Sequence, residues 1–235
     1  MPTSRRNISS YLKESHSNAI KNRTHLHLFG GKLQVFIKDP ISENFDIESV
    51  LASLQSLVPF HLFYNVDMII VGEHEEFVKH NTNALYQDGA IHVSNEQDDP
   101  ADMLDDIIHE LAHSIEEYAQ EEIYGDSYLA KEFLGKRKRL LDILDLEGYN
   151  VYKNDFLNLE YSKAFDELLY KEIGYPTLIS LTMGLFVSPY AATSLREYFA
   201  NGFENYFLGD RQYLRKLSPY LYNKVENIVE EEKNG

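Results

Sequence analysis

Cysteine is absent from this 235-residue chain. That excludes a disulfide framework and every thiolate metal site, so a bound zinc could be held only by histidine and carboxylate. A cysteine-free chain also fits a reducing compartment. Basic residues are scarce, with 22 Lys and Arg against 38 Asp and Glu and a formal net charge of −16. Such a surface repels phosphate backbones, which argues against nucleic acid and favours a neutral or basic polypeptide as partner. Long apolar runs are missing too. The longest, Leu178 to Val187, contains Ser180 and Thr182 and falls far short of the roughly 20 residues that a membrane span requires. Met1 to Arg6 leads into no apolar signal region, so a cytoplasmic protein without membrane contact is expected. No internal repeat and no Pro-, Gly- or Ser-rich linker divides the chain, which predicts a single domain over residues 1–235.

What is present is a folding composition: 43% hydrophobic residues, with 17 Tyr and 13 Phe, enough for a sizeable core. Weak helical spacing runs from Tyr11 to Ile20. His25 to Phe29 and Lys32 to Ile37 predict strands joined at Gly30-Gly31. Asp46 can cap a helix whose apolar face is Ile47, Val50, Leu51, Leu54 and Leu57. Val66 to Val71 predicts a covered strand, and Ala84 to Ser94 a strand pair bent at Asp88-Gly89. From there the pattern is helical: Tyr128 to Leu144, Phe156 to Ile173, Leu178 to Phe186 and Pro219 to Glu232. The basic run Lys136 to Arg139, in so acidic a chain, is expected to pair with carboxylates.

The chemistry concentrates at His109-Glu110-Leu111-Ala112-His113. Residues four apart share one helix face, so the two imidazoles can grip a single zinc ion. Glu110 lies beside the metal but off the ligand axis, where it can take a proton from the attacking water. The helical setting is supported on both sides. Asp98-Asp99-Pro100 starts a helix, and Met103, Ile107, Ile108, Leu111, Ala112 and Ile115 give it a buried stripe. Directly ahead, Ala90, Ile91, His92 and Val93 read as a free strand edge that could bind an extended peptide by strand addition.

A catalytic zinc needs a third protein ligand. No histidine follows His113, which leaves an upstream histidine or a carboxylate, with Glu160, Glu167, Glu172, Glu197 and Glu204 as downstream candidates. The segment Tyr190 to Phe203, together with His109 to His113 and Tyr118-Ala119, resembles the catalytic domain of anthrax lethal factor. It is similar also to the Pro-Pro endopeptidases. The resemblance implies a zincin-like α+β fold: a small N-terminal mixed sheet packed on the motif helix, then a mainly helical C-terminal lobe. It implies Glu197 as third ligand and Tyr190, seven residues ahead of it, as donor to the substrate carbonyl. The matching parts are about residues 84–125 and 188–208. The lobes would span about residues 25–120 and 121–235, and the long interval between His113 and Glu197 implies a helical insertion at about 145–185.

Ser194-x-x-Glu197 also reads as a capping box, which would make the glutamate a helix starter. Asn201, one turn on, could hydrogen-bond a ligand histidine. The resulting expectation is a zinc-dependent endopeptidase acting on a peptide or protein through metal-activated water. The alternative is a non-catalytic binding or structural protein on the same fold.

Overall fold

The computed structural model describes residues 24–230, so the expected Tyr11 to Ile20 helix and the last residues of the expected C-terminal helix lie outside the described residues. The chain is α+β, with a five-stranded mixed sheet in its N-terminal part and a helical C-terminal region. The described residues divide into two compact units, the first holding the sheet, the second comprising residues 56–65 and 108–230. The division falls inside the motif helix, ahead of the boundary near 120 that the sequence suggests.

In the first unit, β1 (Thr24–Leu28) and β2 (Leu33–Ile37) pair antiparallel around a short 3-10 turn, Phe29–Gly31. Helix α1 (Ile47–Leu57) follows, its first turn capped by the Asp46 carboxylate accepting from Ser49 N at 3.0 Å. It carries the chain over to β3 (Met68–Val71), which lies parallel to β2, as crossover helices do. After α2 (Glu75–His80) come β4 (Ala84–Gln87) and β5 (Ala90–Val93), an antiparallel hairpin. Its two-residue loop, Asp88 at φ 51° and Gly89 at φ 78°, has the doubly left-handed backbone that suits strand twist.

The strand order is β1-β2-β3-β5-β4. This corrects one expectation. Ala90, Ile91, His92 and Val93 form an inner strand, parallel to β3 on one side and antiparallel to β4 on the other. Their main-chain groups are committed to the ladder, so β5 offers no edge for strand addition; the edge beside it is β4.

Helix α3 (Pro100–Tyr124) starts as its sequence dictates, with Asp99 Oδ1 accepting from Ala101 N at 2.5 Å and Pro in the first position. Met103, Ile107, Ile108, Leu111, Ala112 and Ile115 are all fully buried. A kink follows at Ala119.

The second unit continues with α4 (Tyr128–Leu146), then a broken stretch where one helix is expected from the spacing. It consists of α5 (Lys153–Leu157), α6 (Lys163–Glu167) and a π-helical segment, Leu168–Gly174. Helix α7 (Tyr175–Thr182) leads to a 3-10 turn at Tyr190–Ala192 and then α8 (Leu195–Leu208), α9 (Arg211–Leu217) and α10 (Pro219–Glu230). Helix α8 is the most enclosed, with Tyr198, Phe199, Ala200 and Phe203 fully buried. Gly202 lets α10 come close: a Cβ there would collide with the Leu221 side chain. Glu132 of α4 ties both helices together, accepting from the Tyr198 hydroxyl at 2.9 Å and from Tyr220 N and Leu221 N at 3.0 and 3.1 Å. Its charge suits the N-terminus of α10. Among the described residues no helix is long and apolar enough to cross a membrane.

Candidate metal centre

His109 and His113 project from the same face of α3, their rings 5.0 Å apart and near-perpendicular. Together with Glu110 they offer ligand atoms all within 4.8 Å of one another. A tighter arrangement forms with α8. Glu197 Oε2 lies 3.0 Å from His109 Nε2, and Glu197 Oε1 lies 3.7 Å from His113 Nε2. Tetrahedral ligation at about 2.0–2.2 Å spaces neighbouring donor atoms about 3.4 Å apart. The two distances, one from each Glu197 oxygen, straddle that value, so the chemistry and reach of these three side chains suit a zinc ion.

Ser194 is the N-cap of α8, and its Oγ accepts from Glu197 N at 3.1 Å. The main chain of Glu197 is thus tied into the cap while its carboxylate turns to the histidines. Among the other candidates, Glu167 pairs with Lys171 at 2.9 Å. Glu160 borders a cleft of about 550 Å³, together with His113, Glu116, Tyr124, Leu159 and Arg196. Glu204 lies on the far side of the His109 ring, its Oε2 3.2 Å from Nδ1.

Each histidine therefore meets a carboxylate at Nδ1 as well as at Nε2. For His113 the Nδ1 partner is Glu116, at 2.7 Å. Sequence reasoning missed Glu116, although its spacing one turn after His113 was available. Asn201, expected to hydrogen-bond a ligand histidine, bonds elsewhere instead. Asn201 donates to the Glu197 main-chain oxygen at 3.0 Å and accepts from Ser188 Oγ at 2.5 Å, which anchors the turn carrying Tyr190. The Tyr190 ring stands 6.3 Å from that of His109. Burial and the Glu197 charge raise its pKa, keeping the phenol protonated and able to donate.

The Tyr190–Thr193 turn is also gripped from below. Arg137, fully buried, donates through Nε to Ala192 O at 2.8 Å and through Nη2 to Thr193 O at 3.0 Å. Its Nη1 reaches Asp155 O at 3.3 Å and also Asn158 O. The rings of Phe133 and Phe165 flank its guanidinium at 4.9 and 4.2 Å. Lys136 likewise donates to Leu185 O at 2.6 Å and Leu217 O at 2.8 Å. These two cations serve carbonyls rather than the carboxylates expected for the basic run. Burial lowers the Lys136 pKa to about 8 and that of Arg137 to about 10.

Burial works against a charged His109, but Glu197 and Glu204 outweigh it and raise the ring from 6.5 to about 10. Burial would likewise raise the Glu197 carboxyl, yet His109 and His113 hold it below the usual range. The folded His109 pKa exceeds its unfolded value, so the stability it lends the metal-free protein is fully present below pH 6.5 and is lost as pH rises through about 10. A metal must displace that proton. Loading zinc at pH 7 is therefore expected to release about one proton from His109 and to tighten as pH rises. Titration calorimetry in two buffers of different ionisation enthalpy counts it; zero release would show that His109 is neutral in the free protein.

Comparison of the chain with family models, curated proteins and solved structures returns no significant match.

Proposed function

We propose that this protein is a zinc-dependent endopeptidase, with His109, His113 and Glu197 as the metal ligands. The observation that carries the reading is the convergence of a carboxylate from α8 on the Nε2 atoms of both motif histidines, at 3.0 and 3.7 Å. Held by these three residues, a zinc ion would supply Lewis acidity, polarising a carbonyl and lowering the pKa of water toward neutrality. Glu110 takes a proton from the attacking water as its oxygen bonds to the carbonyl carbon. The same proton passes to the amine nitrogen as the C–N bond breaks. Tyr190 donates to the carbonyl oxygen as negative charge develops on it, a contact whose loss costs about 2.7–4 kcal/mol. The cleft beside His113 supports the reading by offering room for a substrate side chain.

One observation favours a second reading. The His109 ring sits between the Glu197 and Glu204 carboxylates, at 3.0 and 3.2 Å, a network that would equally join two helices in a non-catalytic binding or structural protein. Metal content separates the two. Purified protein is expected to hold about one zinc per chain and to cleave members of a diverse peptide library in a chelator-sensitive way. Glu197→Ala should weaken zinc binding by more than about 100-fold, beyond what an outer partner contributes. Full zinc occupancy in that variant removes Glu197 from the site, and no cleavage by the zinc-loaded wild type favours the second reading.

A further inference from the structure

Glu116 is 7% exposed, yet it is a charged side chain on the helix that carries the motif. Its carboxylate gathers His113 Nδ1 at 2.7 Å, the Tyr124 hydroxyl, and Arg196 Nε and Nη2 both at 3.1 Å. Arg196 Nη2 also lies 3.4 Å from His113 Nδ1. A guanidinium donates only, so that contact is a hydrogen bond only if Nδ1 carries no proton. Yet a bare Nδ1 would put its lone pair 2.7 Å from a carboxylate oxygen, and two acceptors repel. The shorter contact decides the tautomer: Nδ1–H donates to Glu116.

We propose that Glu116 is a positioning residue, holding the His113 ring with Nδ1 protonated and Nε2 turned toward Glu197. Arg196 extends the same device across helices. It sits next to Glu197 in α8, and its grip on Glu116 ties that helix to α3 at the level of His113. The carboxylate thereby fixes both the ring and the rotation of the helix that brings Glu197 to it. A plain buried ion pair would need Arg196 alone; here the imidazole lies closer to the carboxylate, at 2.7 Å, than either guanidinium nitrogen, at 3.1 Å.

The consequence for metal affinity rests on the zinc-peptidase reading, whereas the ring orientation does not. Two variants and two readouts test it. Glutamine at 116 can still accept the Nδ1 proton without a charge; alanine cannot accept it at all. Zinc affinity, by chelator competition, is expected to fall about tenfold in Glu116→Gln and up to about 100-fold in Glu116→Ala. The long-range 1H–15N spectrum of metal-free wild type, at a pH where the His113 ring is neutral, should place the proton on Nδ1. In Glu116→Ala it should move to Nε2, the site that free imidazole side chains prefer.

A purely structural Glu116 would lower the unfolding midpoint while leaving zinc affinity and the ring proton unchanged, and that result overturns the proposal. So does a bare Nδ1 in the wild type. If the alanine variant does not fold, unchanged zinc affinity in Glu116→Gln overturns it as well. A wild type that binds no zinc removes the peptidase reading, while the ring-proton readout still decides the role of Glu116.

Discussion

Glu110→Gln is expected to leave zinc bound and to lower peptide hydrolysis by about 10²–10⁴-fold, the usual contribution of a positioned acid–base group. The glutamine side chain has nearly the same shape, so the α3 helix and its buried stripe should be undisturbed. What disappears is the capacity to take a proton. Glu110 follows His109 directly, about 100° further round the helix, and its oxygen lies within 4.8 Å of the ligand atoms of both histidines. Side-by-side measurement of zinc content and of kcat/KM on one cleaved peptide checks the expectation. Activity within tenfold of wild type would mean that another group moves the proton.

The second large effect is on stability. Arg137→Met is expected to cost roughly 3–5 kcal/mol and to lower Tm by about 10 °C. Methionine replaces the stem between Phe133 and Phe165 but leaves the carbonyls of Asp155, Asn158, Ala192 and Thr193 without their donors. Ala192 and Thr193 are buried, and unpaired buried acceptors carry the full desolvation penalty. Arg137→Lys should recover little, because an ammonium cannot reproduce the planar fork that reaches two separate chain segments. Urea unfolding of the three proteins gives the comparison; a loss below about 1 kcal/mol for Arg137→Met would mean that the loops close over water instead. Since two of those carbonyls lie just after Tyr190 and just before Ser194, activity should fall in step with stability.

Local signals carried well into the structure. Asp99-Pro100, the buried stripe on α3 and the Asp88-Gly89 hairpin all depend on residues a few positions apart, and their spacing alone specifies them. Strand order does not work that way. The β3–β5 pairing joins distant residues, and nothing in Ala90 to Val93 distinguishes an inner strand from an edge. The expected helix from Phe156 to Ile173 is interrupted because Ser162 caps a fresh start, accepting from Phe165 N at 3.4 Å, while Leu159 O is used by Leu195 N at 2.8 Å. Arg137 looked like one member of a charged run; only the fold reveals that it points inward. Glu116 and Glu204 were visible as acidic residues near the motif and on the later helix. Their role depends on which imidazole nitrogen each one faces, a property of ring orientation that one-dimensional spacing does not encode.

Glu197 and Glu204 are seven residues apart on α8, about 10.5 Å along its axis, yet both carboxylates close on the single ring of His109. That ring acts as a vernier between two helices. Seven residues are almost two full turns, so both glutamates share a face only while the intervening helix keeps its pitch. Insertion of one residue between them would swing one carboxylate away by about 100° and leave one nitrogen of His109 without its partner. Sliding α8 by a turn would likewise remove at least one contact. Correct assembly of these two helices is thus read out at a single side chain, and the protonation state of that imidazole becomes a spectroscopic gauge of helix registry, to a fraction of a turn, before any metal arrives.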